Sequence, residues 1–232
     1  MATLSILVPV YNEERTLRRV MEALVSALPD SQIVYVDDGS TDGSLNILEV
    51  HARLQDVVLT KPNGGKGSAI RMAIGHALGD FSVIQDADME YDPREILSLL
   101  REAEAHPGSV VFGSRFLQRN PNIYPLYLIG NKVLTLLINV LFGSRLTDSY
   151  TCLKLFPTSL LKELPLKARG FELEVELSAY PLKRGVAIRE VPISYHPRSF
   201  AEGKKIGWRD AMFGAFTALK IRLQRERKPS NL

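Results

Sequence analysis

One cysteine, Cys152, stands in the whole chain. It excludes an intramolecular disulfide framework and a cysteine-based zinc site, and it suits a reducing compartment. Long hydrophobic runs are also missing. The longest, around Val133 to Phe142, falls well short of the roughly 20 residues that a membrane-spanning helix needs. No basic stretch followed by an apolar one precedes Leu4-Ser5-Ile6-Leu7-Val8, so no secretory leader is expected. Charge of one sign is lacking too. With 29 Lys and Arg against 26 Asp and Glu, the net charge is only +3, and no nucleic-acid partner is expected. His51, His76, His106 and His196 show no paired ligand spacing. The standard phosphate motifs fail as well. Thr60 stands where GxxxxGK[ST] needs its first glycine, and Ile70 stands where GxGxxG needs its last.

What remains is ordinary in bulk and informative in order. Apolar residues make up 45% and charged residues 24% of 232 positions, enough for a full core and most simply one domain. The first half alternates strand-like runs at 4–8, 32–36, 57–59, 81–85 and 110–113 with helical periodicity at 13–28, 41–54, 68–78 and 93–104. That alternation predicts an α/β domain with a mainly parallel sheet. Further on, helices are expected at 131–142, 171–183 and 208–224, and a strand at 186–195. The 131–142 segment keeps Asn131, Thr135 and Asn139 on one narrow polar stripe of an otherwise apolar helix.

The strongest local chemistry is Asp86-Ala87-Asp88 with Glu90, directly after an expected strand. In an extended chain, alternate residues point to one side. Three carboxylates there would repel one another without a cation. Hard oxygen ligands suit Mg²⁺ or Mn²⁺, which also hold substrate phosphates. A solvated acidic turn before Asp92-Pro93 is the plainer alternative. Asp37-Asp38-Gly39-Ser40-Thr41-Asp42-Gly43 closes another strand. Its acids can accept hydrogen bonds from a base or ribose, with Ser40 or Thr41 capping the next helix. Pro9-Val10-Tyr11-Asn12-Glu13-Glu14 ends the first strand, and Lys66 in Asn63-Gly64-Gly65-Lys66-Gly67-Ser68 stands where a diphosphate would meet a helix start.

In this order, the segments PVYNEE, VDDGSTDGS, NGGKGSAI and QDADME resemble the family 2 glycosyltransferases of the GT-A fold. The resemblance implies a GT-A Rossmann-like α/β sandwich. It puts Pro9, Tyr11, Glu13 and Asp38 at the nucleoside, Lys66 near the diphosphate, and Asp86 with Asp88 at an Mg²⁺ or Mn²⁺ ion, Glu90 beside them. The segments around Gly113-Ser114-Arg115, 147–154, 170–174 and 191–198 are similar to the dolichyl/polyprenyl-phosphate sugar synthases, with Lys154 in place of that subgroup's usual arginine. This implies an inverting, metal-dependent hexosyltransferase that moves a sugar from GDP-mannose or a UDP-sugar to a lipid phosphate. A glycan or other hydroxyl acceptor, or a non-catalytic nucleotide-sugar binder, is the alternative.

A lipid monophosphate needs cations to place it more than a base to deprotonate it, and Arg115, Arg198, Lys204 and Lys205 are the candidates. A hydroxyl acceptor needs a carboxylate base, for which Asp148 is the first choice. Trp208, Met212, Phe216, Leu219 and Leu223 recur at helical spacing among basic residues. Such a stripe serves a membrane surface or packs on the domain. Residues 1–203 are therefore expected to form the catalytic domain and 204–232 a basic amphipathic helical extension of it. The expected enzyme is peripheral on the cytoplasmic face of a membrane, alone or with a separate membrane-spanning protein.

Overall fold

A computed structural model of the chain describes residues 2–120, 125–197 and 208–224, with the backbone alone at 125–128 and 208–211. The elements run β1 (Leu4–Val10), α1 (Leu17–Ala27), β2 (Gln32–Asp37), α2 (Ser44–His51), β3 (Val57–Thr60), α3 (Lys66–His76), β4 (Phe81–Ile84), α4 (Ile96–Ala105), β5 (Val110–Ser114), α5 (Pro125–Phe142), β6 (Lys154–Pro157), α6 (Thr158–Glu163), α7 (Leu173–Lys183), β7 (Ile188–Pro192) and α8 (Trp208–Leu223). One seven-stranded sheet has the order β3-β2-β1-β4-β6-β5-β7. All its pairings are parallel except those of β6, which runs antiparallel to both β4 and β5.

The sheet forms because its strands are apolar on both faces. Ile6, Leu7 and Val8 of β1, Ile33 to Val36 of β2 and Val110 to Phe112 of β5 are all buried, as strands covered by helices on both sides must be. α1 turns Leu17, Val20, Met21 and Leu24 inward, the stripe its periodicity predicts. From β1 the chain moves outward through β2 to β3. It then crosses back along α3 to place β4 on the other side of β1. That reversal opens a crevice beyond the carboxyl ends of β1 and β4, where open α/β sheets hold ligands.

Three expectations change. β6 is absent from the sequence-based pattern, because four residues ending in Pro157 leave no periodicity to detect; Lys154 pairs in register with both Ile84 and Phe112. β7 stops at Pro192 instead of residue 195. The helix expected from 131 starts at Pro125, where proline's fixed φ suits a first turn. The division at 203/204 lies outside the described residues.

Candidate active site

A cleft of about 320 Å³ opens at the crevice and is lined by residues that follow β1, β2, β3, β4 and β7, among them Tyr11, Asp38, Lys66, Asp86, Asp88 and Tyr195. Its two inner walls are laced together. After β1, Asn12 adopts φ 55°, a left-handed conformation that asparagine tolerates better than most residues. Its side-chain oxygen accepts from Thr41 N at 2.8 Å, and its N–H donates to Ser40 Oγ at 3.0 Å. Glu13 N donates to Ser44 Oγ at 2.8 Å, and Glu14 Oε2 accepts from Gly43 N at 2.9 Å. Ser40 and Thr41 therefore do not cap α2, as the sequence suggested; they bind the Asn12 turn, and no side chain caps α2 at Gly43.

Asp38 is buried in the cleft wall. Its carboxylate accepts from Gly64 N, from Gly65 N at 2.7 Å and from the Lys61 ammonium. It thus shapes the Asn63-to-Lys66 loop as well as facing the cleft. The glycines of that loop answer to close approach. Gly65 has φ 87°, and a Cβ there would run into the Arg169 carbonyl; one on Gly67 would run into that of Ala168. Gly67 N donates to Arg169 O at 2.8 Å. The 168–171 loop is held in turn by acids opening α7. Glu172 Oε1 accepts from Arg169 N and Gly170 N, and Glu176 Oε2 accepts from Lys167 N and Ala168 N. This seats Gly170 and Phe171 on the cleft wall.

Lys66 is the first residue of α3, not part of a free loop. Its ammonium lies 2.8 Å from Asp86 Oδ1 and 3.2 Å from Glu174 Oε1. Burial pulls the ammonium pKa down, but the Asp86 and Glu174 charges outweigh it and hold the group well above the ordinary lysine value. Beneath it, Glu174 also pairs with fully buried Lys154, which donates to Thr151 O at 2.7 Å. Here burial wins over Glu174, and the Lys154 pKa is lowered. Asp86, Lys66, Glu174 and Lys154 form a continuous line of alternating charge under the cleft. The Cys152 thiol bonds Asp86 as well; burial, reinforced by that carboxylate, pushes its pKa well up and keeps it a thiol.

The acidic segment is a turn, not the extended run first expected. Met89 has φ 61°, costly for a side chain of its size and typical of ligand-facing turns. Glu90 N donates to Asp88 Oδ1 at 3.1 Å, and Glu90 Oε2 accepts from Tyr195 OH at 2.9 Å. Asp86, Asp88 and Glu90 all line the cleft. Even so, no group of three or more metal-ligating side chains comes together among the described residues. Asp86 and Asp88 are the two carboxylates that could hold a divalent ion here, with oxygens of a bound phosphate completing its shell. Glu90, on the same cleft wall, also meets Tyr195 through its Oε2.

Arg115 and Asp148 come together, but not on the cleft wall. Arg115 Nε donates to Asp148 Oδ2 at 2.7 Å and its terminal nitrogen to Oδ1 at 2.8 Å, a buried two-point pair. Burial would lower the Arg115 pKa, and Asp148 holds it well above the ordinary value. Asp148 is 0% exposed, so it does not suit the role of a base for a substrate hydroxyl. The Arg115 guanidinium faces the Tyr195 ring at 5.1 Å, supporting the residue that meets Glu90. Pro9, Tyr11, Glu13, Asp38, Lys66, Asp86, Asp88 and Glu90 are thus gathered at one cleft, while Arg198, Lys204 and Lys205 lie outside the described residues. Sequence reasoning missed Glu174, Phe171 and Tyr195 as site residues. Each sat in a recognisable segment, but only distant partners give it a role.

A glycosyl transferase family 2 domain matches residues 5–164. The low-salt glycan biosynthesis hexosyltransferase Agl6 of Haloferax volcanii is 30% identical over 91% of this chain and 52% of its own. The dodecaprenyl-phosphate galacturonate synthase of Rhizobium johnstonii is 29% identical over 87% of this chain and 61% of its own. The chain spans about half to three-fifths of the length of these curated relatives. Among solved structures, glucosyl-3-phosphoglycerate synthase from Mycobacterium tuberculosis, in complex with Mn²⁺, UDP and phosphoglyceric acid, superposes with a TM-score of 0.75. It is 19% identical and covers 97% of this chain and 80% of its own, a likeness of fold.

Proposed function

The chain belongs to glycosyl transferase family 2, and from that premise we propose that it is an inverting hexosyltransferase moving a sugar from a nucleotide-sugar to a polyprenyl-type lipid phosphate. The observation that carries this is the cleft itself. Asp86, Asp88 and Lys66 stand together at the carboxyl end of β4, with Tyr11, Glu13 and Asp38 on the adjoining wall. Tyr11, Pro9, Glu13 and Asp38 would hold the nucleoside. Asp86 and Asp88 would hold a Mg²⁺ or Mn²⁺ ion, which when bound neutralises charge developing on the leaving diphosphate. Lys66, kept charged by its two carboxylates, orients Asp86 and presents a cation toward the same diphosphate.

In the transfer, an acceptor oxygen forms a bond to the anomeric carbon from the face opposite the diphosphate. The bond from that carbon to the diphosphate oxygen breaks, and its electron pair leaves with the nucleoside diphosphate. A phosphate monoester has a second pKa near ~6 and is largely dianionic at neutral pH, so its oxygen attacks without a base. Arg198, Lys204 and Lys205 follow cleft-lining Tyr195 in sequence and would place that phosphate; buried Arg115 would act by supporting Tyr195. The glycan or hydroxyl acceptor requires a base, and the expected one, Asp148, is taken by Arg115. This favours the phosphate. Both the R. johnstonii relative and the undecaprenyl-phosphate 4-deoxy-4-formamido-L-arabinose transferase of Proteus mirabilis are named for polyprenyl phosphates, which supports the same choice. Such an acceptor places the enzyme at a membrane surface, on the cytoplasmic face where nucleotide-sugars are available, with or without a membrane-spanning partner.

Incubation with several nucleotide-sugars and a short polyprenyl phosphate, read by mass, tests the proposal. A hexosyl phosphate-lipid whose formation needs added divalent metal is expected. Transfer only to glycan hydroxyls, or nucleotide-sugar binding without any transfer, would overturn it.

A further inference from the structure

α5 is apolar outside as well as inside, where Leu134 and Ile138 are buried. Its polar stripe faces the protein: Thr135 Oγ1 accepts from Ser149 N at 3.1 Å, and Asn139 Oδ1 accepts from Leu146 N at 2.8 Å while its amide donates to Leu146 O at 2.8 Å. The opposite stripe, Ile129, Val133, Leu136 and Val140, faces outward, with Val140 73% exposed. Those positions recur at helical spacing, the pattern that normally points to a core. α8 likewise leaves large apolar side chains outside. Gly214, Ala218 and Ile221 are buried, Gly214 against Tyr150 and Val175. Lys183 of α7 donates to the Ile221 and Gln224 carbonyls at the other end. Met212, Phe213, Phe216, Leu219 and Leu223 are left outside, Phe216 66% and Leu223 81% exposed.

The two outward stripes lie on adjacent helices. α5 and α8 pack against each other and both rest on α7, whose residues 173–181 are buried throughout. Each outer stripe is therefore turned away from α7, on two neighbouring helices. Soluble monomers seldom leave an apolar face of two adjacent helices uncovered, and such faces mark interaction sites. Its border is cationic: Lys132 on α5, and Lys220 and Arg222 on α8, are exposed. α5 contains no Asp or Glu, α8 has one acid, Asp210, against Arg209, Lys220 and Arg222, and the sequence beyond α8 adds Arg225, Arg227 and Lys228 with one acid, Glu226.

We propose that the α5–α8 face is the surface by which this enzyme lies on an anionic lipid bilayer, its apolar stripes entering the headgroup boundary and its lysines and arginines meeting lipid phosphates. This rests on the lipid-phosphate reading for its purpose. The charge selects the occupant. In a symmetric dimer the patch would meet its own copy and oppose like charges, whereas an anionic membrane complements both the apolar centre and the basic border. The face also replaces the single helical stripe that the sequence suggested. α8 supplies only half of it, and the other half comes from a helix whose inward side could not be told from its outward side.

The test is co-sedimentation of the full chain with vesicles of phosphatidylcholine alone and of phosphatidylcholine with phosphatidylglycerol. The wild type is expected in the pellet with the anionic vesicles and is released in part by high salt. Leu136→Glu with Phe216→Glu should cut that partition by at least about tenfold, since each buries apolar area otherwise worth more than ~1.4 kcal/mol. Thermal unfolding and nucleotide binding should be unchanged, because both side chains are exposed. Equal sedimentation of wild type and double variant would overturn the proposal, as would a wild type that stays in solution with anionic vesicles. So would a wild-type dimer, seen by analytical ultracentrifugation, that the double variant dissolves. Transfer to a short, water-soluble polyprenyl phosphate separates the two readings. Transfer without vesicle binding rejects this face alone, and vesicle binding without transfer to any lipid phosphate rejects the acceptor assignment.

Discussion

Replacing Asp148 with asparagine should unfold this protein more readily without removing a catalytic base. Asp148 is 0% exposed and accepts Arg115 Nε at 2.7 Å, its terminal nitrogen at 2.8 Å and its backbone N–H at 3.1 Å. Asparagine offers one acceptor oxygen in place of two and turns an amide donor toward the guanidinium. A lysine left in that position could shed its proton; arginine cannot. The buried charge is then uncompensated, a loss of about 3–5 kcal/mol for a broken buried pair. In a domain of this size that lowers Tm by roughly 6–20 °C. Removing both charges, with Arg115→Met and Asp148→Leu, should restore part of the loss. It should not restore all of it, because the Arg115 and Tyr150 backbone donors lose their acceptor. Scanning calorimetry supplies the stability cycle, and transfer assays below the variant's Tm supply the chemistry. A general base would contribute roughly 10²–10⁴ in rate. An unchanged Tm together with a loss of transfer on that scale would refute the structural role assigned to the pair.

Glu174→Gln removes the carboxylate paired with Lys154, whose folded pKa is already lowered by burial. A lysine with a depressed folded pKa is protonated first in the unfolded chain, so stability falls as pH drops below ~10.4 toward the folded value. The variant extends that window downward. Urea unfolding between pH 7 and 10 should show its stability rising more steeply than the wild type's, by up to about 1.4 kcal/mol per pH unit; parallel profiles would reject this account. Tyr195→Phe keeps the ring packed on Tyr91 but removes the hydroxyl from Glu90. It should cost about 1 kcal/mol of stability and lower kcat more than it raises KM for the donor. Gly67→Ala forces a methyl group into the Ala168 carbonyl. It should destabilise by about 1–3 kcal/mol and weaken nucleotide binding through Phe171, measurable by calorimetric titration. Asp88→Ala should abolish metal-stimulated transfer with Tm unchanged within a few degrees; full activity with metal present would reject Asp88 as a ligand.

The parallel half of the sheet was legible in the sequence because its signals are local. Each apolar run announces a strand, and each polar cluster after it announces a loop at the carboxyl end. PVYNEE, VDDGSTDGS, NGGKGSAI and QDADME follow β1, β2, β3 and β4, so their order along the chain already places them around one crevice. Tertiary structure decided the rest, because the deciding partners are distant. Asp148 finds Arg115 across 33 residues and Glu90 finds Tyr195 across 105. Lys66 reads as a loop residue until it is seen at the start of α3, between Asp86 and Glu174. β6 exists only because β4 and β5 leave a gap of one strand between them. The clearest case is α5. Periodicity established that its two faces differ, but a one-dimensional pattern cannot say which faces inward. Only packing against the 144–149 turn and α7 put Thr135 and Asn139 inside and left the apolar stripe in the open.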